Sequence, residues 1–556
     1  MKKNLILIAY ILFFWILLPG TIVLFALWMD KINGFESLGC RSSGILILVV
    51  SLPLLTISIL QFRRYSGKLP VSADPPDTFI RTGLYAVWRH PIYLFYTLSL
   101  IGAAITWGSR GMLLVAIPLF ILLEAGYIMW EERVLIRRFG NQYMNYRSIT
   151  PLIIPRLYFW LKIPCFLLFR ILFSYRASGR EHIPGSPPMF IISTHRNYLD
   201  PFFLAQAFPH PIRYVTTFEM FRKAKTRWFF RALDCIPKKR YKNDTSTGRG
   251  VVLALGQDAV IGVFPEGERI WSGVPKSLKP ETLNLFVKFH HIPILPVRIR
   301  GNFFAWPRWG RRIRRANVKV EFGEPLHINP SWSHDRVSDI IREAIDPQDL
   351  DHPDYYCKSR HRFEKLQIVI YRCPLCNEFD TVSSGPKSGK CINCGAEMTL
   401  NERYHLTCKN EHGQVKSSLD EIYQSTRISA GDLESPKRGE IPEYLEALCP
   451  EGQRILAISG EMELLKESHP EMVPLLSGRF ILTNRLLICA NGPDTLSLPL
   501  EKISSVTTES NYKLQLYHRE QKQLYQMVFQ AESVLKWQDF IVVAIQNEFF
   551  YTPNVR

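Results

Sequence analysis

The sequence HRNYLD places His195 and Asp200 with four residues between them, directly after the apolar run MFIIST. A histidine at a strand end, followed one helical turn later by a carboxylate, suits a general base oriented by an acid. VFPEGER follows a second apolar run and offers Glu266, Gly267 and Arg269. Glycine there permits close backbone approach, and arginine presents a planar fork that matches phosphate. IPKKR ends on Arg240, and HIPILPVRIRG is an apolar run carrying Pro293 and Pro296. Any one of these is commonly structural. All four in this order, within about a hundred residues, describe a base beside an anion-binding loop.

Two further groups carry chemistry. Cys373 and Cys376, then Cys391 and Cys394, form two C-x-x-C pairs separated by a 14-residue spacer. Four thiolates at that spacing suit a closed tetrahedral zinc site, which is structural because no coordination position stays open. Nearer the N-terminus, RTGLYAVWRHPIYLF carries Arg89, His90 and Tyr93, and WEERVLIRRFGNQYMNY carries Glu131 and Glu132. Glu124 lies seven residues before Glu131, on the same helical face. A carboxylate inside a membrane helix is a site candidate by default.

These groups need elements to hold them. No charged residue occurs between Lys3 and Asp30, from Ser42 to Phe62, or from His90 to Ser109; Gly111–Trp130 holds one, Glu124. A helix crosses the hydrocarbon with roughly 20 apolar residues, so four retained transmembrane helices are expected. Lys2, Lys3, Arg63, Arg64, Lys68, Arg81 and Arg89 flank one side, and Arg133, Arg137 and Arg138 follow the fourth run. The excess of positive charge predicts that both termini and all later domains are cytoplasmic. Leu157–Phe173, broken by Lys162, Pro164 and Arg170, reads as an interfacial helix.

Beyond it, strand-like runs alternate with helices in an α/β order. Residues 346–410 hold the cysteine pairs, 411–445 read as a polar linker, and 446–556 alternate as strands before a closing amphipathic helix. The expected architecture is multidomain: an α-helical membrane bundle at 1–156, an α/β domain at 157–345, a zinc ribbon and a small β-rich domain.

The order His195–Asp200, Arg240, Glu266–Gly267–Arg269, Ile292–Val297 strongly resembles the glycerolipid acyltransferases, of which lysophosphatidic acid acyltransferase is the best known. The resemblance implies that His195 deprotonates an acceptor hydroxyl and Asp200 orients the imidazole. It further implies that Arg240, Glu266, Gly267 and Arg269 bind the acceptor's phosphate and glycerol, with acyl-CoA or acyl carrier protein as donor. Thr194, Asp234 and Glu268 depart from the family, which commonly has Asn or Gly, Gly, and Thr there. Residues 45–156 resemble the isoprenylcysteine carboxyl methyltransferase and phospholipid methyltransferase family. That likeness implies S-adenosylmethionine enclosed by Arg89, His90, Tyr93, Glu131 and Glu132, with Phe95 where the family has a small residue. The C-terminal strands and helix resemble a pleckstrin-homology-like or GRAM-like domain.

The chain of 556 residues is 47% hydrophobic, and 68 Lys and Arg face 50 Asp and Glu, a net charge of +18. That excludes a disordered chain, a small disulfide scaffold and a purely soluble protein, and it calls for an anionic partner. Attachment to membrane helices favours phospholipids and lysophospholipids over nucleic acid, and the inner membrane of a bacterium as the location. The expected function is membrane-bound O-acyl transfer from a thioester to a lysophospholipid hydroxyl, together with a methyltransferase-like segment. Two other readings fit the same features: lipid or isoprenylcysteine-type methylation as the main activity, and a non-enzymatic scaffold binding protein or nucleic acid.

Overall fold

In a computed structural model of the protein, the described residues are 12–33, 40–68, 79–239, 245–434, 443–469, 471–491 and 494–549. Arg240 and the start of the first apolar run lie outside them.

Helices occupy all four uncharged runs: α1 (Leu18–Asn33), α2 (Arg41–Ser66), α3 (Pro91–Trp107) and α4 (Ile117–Phe139). Among the described residues, two of these stretches, Arg41–Ser66 and the 28 residues Met112–Phe139, are long and apolar enough to cross a membrane. The expectation of four spans is therefore met by two. Gly108, at φ 77°, closes α3 after 17 residues. The polarity of α2 is inverted relative to a soluble helix: Gly44, Ser51 and Ser58 are buried while Leu46 and Val49 are exposed. Small and polar residues inside with aliphatic residues outside is the packing expected of helices in lipid. Ser99 of α3 donates to Ser51 Oγ at 2.9 Å across that seam.

After α5 (Asn141–Ile149) and α6 (Leu157–Phe173) comes a seven-stranded sheet, in the order β1-β7-β6-β2-β5-β3-β4. Its strands are β1 (Arg176–Ser178), β2 (Met189–Ile192), β3 (Ile212–Thr217), β4 (Ile236–Lys238), β5 (Val260–Val263), β6 (Ile294–Arg300) and β7 (Lys319–Phe322). β6, β2, β5, β3 and β4 are mutually parallel, whereas β7 runs antiparallel to β6. Every residue of β2 and β5 is buried, as a parallel strand covered on both faces requires. One face of α6 packs Phe169 and Phe173 onto Phe203 of α7 (Asp200–Ala207), with ring centroids 4.6 and 5.3 Å apart. Its other face exposes Trp160, Ile163, Leu167 and Ile171, which suits a helix lying on a bilayer.

Two antiparallel sheets complete the chain. The first runs β12-β11-β10-β9-β8, from β8 (Val382–Ser384), β9 (Ser388–Cys391), β10 (Glu397–Leu400) and β11 (His405–Asn410) to β12 (Gly413–Ser418). β12 and a helix at Leu419–Ser425 fall where a linker is expected from residue 411. Leu419, Ile422 and Tyr423 are buried at helical spacing, and Ser418 with Glu421 forms a capping box. Three apolar residues in a polar stretch suffice once a neighbouring surface covers them.

The second is built from β13 (Ile455–Ser468), β14 (Glu471–Thr483), β15 (Leu486–Asn491), β16 (Asp494–Pro499), β17 (Ile503–Thr508), β18 (Lys513–His518) and β19 (Gln523–Phe529), in the order β16-β15-β14-β13-β19-β18-β17. The helix Val534–Phe549 closes it, burying Trp537 and Ile541. One continuous apolar cluster runs from Phe169 through Trp309 and Tyr404 to Trp537, so the α/β sheet and both C-terminal sheets share a core.

Candidate active site and metal centre

His195 follows β2 at its C-terminal end, where open α/β sheets place their ligands. Its Nδ1 lies 3.0 Å from Asp200 Oδ2, which also accepts the backbone N–H groups of Arg196 at 2.7 Å and Asn197 at 2.8 Å. Asn302 Nδ2 donates to the other carboxylate oxygen at 2.8 Å. Asp200 is fully buried and meets only donors, so Nδ1 carries the proton and the Nε2 lone pair can accept one. The imidazole stacks on Phe264, with centroids 4.2 Å apart, which fixes its plane. Arg196 ties the same turn to buried Asp349 at 2.6 Å.

The loop after β5 wraps around this histidine. Glu266 accepts the His195 backbone N–H at 2.9 Å and that of Lys276 at 3.2 Å, and Ile270 N–H donates to the His195 carbonyl at 2.8 Å. Burial pushes the Glu266 carboxyl up to about 8 against the pull of those two donors. Gly267 turns the chain at φ +73°, where a Cβ would meet Lys279 at 3.0 Å. Arg269 lays its guanidinium 3.4 Å from the centroid of the Tyr198 ring, beside the histidine turn. His195, Asp200, Glu266, Gly267 and Arg269 thus come together, while Arg240 falls outside the described residues. Asp234 sits at φ 53°, a left-handed conformation where glycine is easiest and aspartate is tolerated. Asn302 belongs to this constellation without any local signal in the sequence, since it lies 102 positions from Asp200.

The membrane-proximal cluster also assembles. Tyr93 donates to Glu131 at 3.0 Å; His90 faces Glu131 at 3.6 Å and Glu132 at 3.5 Å. Arg89 at 3.3 Å and Arg147 at 3.1 Å pair with Glu132, and Thr97 donates to Glu124 at 2.6 Å. Phe95 is buried against Trp88, with ring centroids 5.1 Å apart. Tyr143 Oη and Glu124 Oε1 are buried without a hydrogen-bond partner. Carboxylates, aromatic faces and a cationic donor fit the sulfonium, amino and carboxylate groups of S-adenosylmethionine. The segment that carries this cluster meets the sheet at the N-terminal ends of β5 and β4, where Arg81 pairs with Asp258 at 3.4 Å and Arg156 pairs with Asp234; His195 follows the C-terminal end of β2.

The four cysteines of the ribbon bring their sulfurs within 4.8 Å of one another, with 3.8 Å between Cys373 and Cys394 and 3.7 Å between Cys376 and Cys391. Zinc–sulfur bonds of about 2.3 Å at tetrahedral angles place sulfurs about 3.8 Å apart, so the set fits zinc. Among the described residues, no other group of ligand atoms of this kind lies close enough to hold a metal.

Residues 174–300 match the acyltransferase family and residues 43–142 the phospholipid methyltransferase family. The first region is similar to a 1-acyl-sn-glycerol-3-phosphate acyltransferase of Bacillus subtilis, 24% identical over 151 residues, which are 27% of this chain and 72% of that protein. The second is similar to methanethiol S-methyltransferase 2 of Bradyrhizobium diazoefficiens, 35% identical over 79 residues, 14% of this chain and 28% of the relative. A 1-acyl-sn-glycerophosphate acyltransferase structure from Thermotoga maritima aligns with a TM-score of 0.31 at 18% identity, over 40% of this chain and 86% of that one.

Proposed function

Starting from an acyltransferase-family segment joined to a phospholipid methyltransferase-family segment, we propose that the protein acylates a lysophospholipid hydroxyl at the membrane surface. The observation that carries this reading is the hydrogen bond from His195 Nδ1 to buried Asp200 beside the Gly267–Arg269 loop. His195 Nε2 removes the hydroxyl proton as the oxygen bonds to the carbonyl carbon of acyl-CoA or an acyl carrier protein thioester. The carbon–sulfur bond then breaks, and the thiolate recovers the proton from the imidazolium, giving an ester and a thiol. Asp200 stabilises the imidazolium. Arg240, Glu266, Gly267 and Arg269 hold the acceptor's phosphate and glycerol.

The catalytic side is cytoplasmic, at a bacterial inner membrane. The domain limits are 1–156, 157–345, 346–410 and 446–556, with the antiparallel sheet of the cysteine region continuing to Ser418 within 411–445. Arg89, His90, Tyr93, Glu131 and Glu132 hold S-adenosylmethionine, which when bound supplies a transferable methyl group. Cys373, Cys376, Cys391 and Cys394 hold a structural zinc.

The test is full-length protein in detergent with acyl-CoA and lysophosphatidic acid, reading phosphatidic acid formed. His195→Ala abolishes turnover on this reading; unchanged turnover in that variant would remove the mechanism.

A further inference from the structure

The acceptor loop does not hold itself. Arg308, buried to 3% exposure, donates from Nη1 to the carbonyl of Arg269 at 2.6 Å and pairs with Glu268 Oε2 at 3.6 Å. Its Nη2 donates to Thr508 at the end of β17, to the carbonyl at 2.9 Å and to Oγ1 at 2.7 Å. The guanidinium lies 4.1 Å over the Trp271 ring, which is fully buried. Lys276 pairs with Glu268 from the other side at 3.0 Å. Further along the loop, Ser272 donates to Asp420, beside a polar cleft of about 330 Å³ that Arg427 and Asp539 also line. The loop between Glu266 and Lys276 is therefore attached to the C-terminal sheet at Thr508 and to the helix after β12 at Asp420.

Arg269 itself stacks on Tyr198, so its guanidinium is placed by that ring and by its own backbone. One planar side chain grips that backbone and the C-terminal domain together. A guanidinium offers five donors in a fixed fork, and here both amino groups are used, which an ammonium cannot reproduce. Glu268 is the position where the resemblance leads one to expect threonine. Its carboxylate closes a buried ion-pair network with Arg308 and Lys276 that a hydroxyl would leave with excess positive charge.

Resting on the acyl-transfer reading above, we propose that Arg308 is a positioning residue for the acceptor phosphate. It fixes Arg269 by tying the loop to Thr508, so the C-terminal domain is part of the acceptor site. The chemistry recognised is a phosphate monoester headgroup on a lysolipid.

The test uses the full chain in detergent, with Arg308→Met, Arg308→Lys and the near-isosteric Thr508→Val. Initial rates are read over a lysophosphatidic acid series, and lysophosphatidic acid binding is read separately by calorimetry. Loss of a charge-assisted hydrogen bond to the loop is expected to raise KM about ten-fold in Arg308→Met. kcat should stay near wild type, because remote binding and not the reacting atoms is affected. Arg308→Lys should recover part of the affinity, and Thr508→Val should shift KM in the same direction. A variant that only loses thermal stability, with KM and affinity unchanged, overturns the proposal. If the wild type binds lysophosphatidic acid but transfers no acyl group, the acyl-transfer reading fails on its own. The calorimetric comparison then decides the positioning role: a ten-fold weaker Kd in Arg308→Met supports it and an equal Kd overturns it. Absence of binding by the wild type overturns both.

Discussion

Replacing Asp200 with asparagine separates charge from geometry at the proposed base. The side chain is fully buried and meets four donors: His195 Nδ1 at 3.0 Å, two backbone N–H groups at 2.7 and 2.8 Å, and Asn302 Nδ2 at 2.8 Å. An asparagine oxygen can still accept from the first three. Its amide nitrogen then faces Asn302, whose Oδ1 is buried and unpartnered, so rotating the Asn302 amide restores a hydrogen bond. The variant should therefore fold, with the imidazole still held, and lose one negative charge. At a separation of charge centres near 4 Å and an effective dielectric constant of about 20, that charge stabilises an imidazolium by about 4 kcal/mol. The amide dipole recovers part of this, leaving a loss in kcat of roughly 100- to 1,000-fold at about 1.4 kcal/mol per decade. The assay is thiol release from acyl-CoA at saturating lysophosphatidic acid, with unfolding temperature measured in parallel. A kcat within ten-fold of wild type, in a variant of unchanged stability, would refute the role given to Asp200.

Glu268 supplies a pH signature. Burial alone would raise its pKa, but Lys276 and Arg308 override that and hold it at about 2 against an ordinary 4.5. Because the folded value is depressed, the stabilisation is present above pH 4.5 and is lost as pH falls toward 2, about 3 kcal/mol in all by linkage. Glu268→Gln should therefore unfold more easily than wild type at pH 7, with the gap in denaturation midpoint narrowing below pH 4.5; a gap independent of pH contradicts the ion-pair assignment. Cys376→Ser should lower the zinc content from one equivalent by elemental analysis and destabilise the ribbon by removing one of four ligands; full zinc content in that variant would exclude the site. Glu131→Ala should weaken S-adenosylmethionine binding at least ten-fold in calorimetry, and equal affinity in both proteins would dissociate the cluster from the cofactor.

Several features were legible because their causes are local in sequence. His195 and Asp200 are five positions apart in a turn that leads into a helix, and the Arg196 and Asn197 N–H groups fold that turn onto the Asp200 carboxylate. The four cysteines announce themselves through paired knuckles, and the sulfur separations of 3.7 and 3.8 Å follow from that pattern. Tyr93 and Glu131 were both named as candidates, although only helix packing brings them to 3.0 Å.

The sequence by itself determined the chemistry the parts offer: a histidine with a carboxylate, a loop with glycine and arginine, a four-sulfur set, and apolar runs beside basic flanks. These depend on residue type and short spacing. Tertiary structure alone decided that residues 413–425 are a strand and a helix, and that Arg81 and Arg156 meet the sheet at Asp258 and Asp234. It also decided that Asn302 holds Asp200 and that Arg308 ties the Glu266–Lys276 loop to Thr508. Arg308 and Thr508 are 200 positions apart, and neither carries a motif. Their hydrogen bond exists because a continuous apolar core draws the two sheets together and leaves a buried guanidinium that must find acceptors.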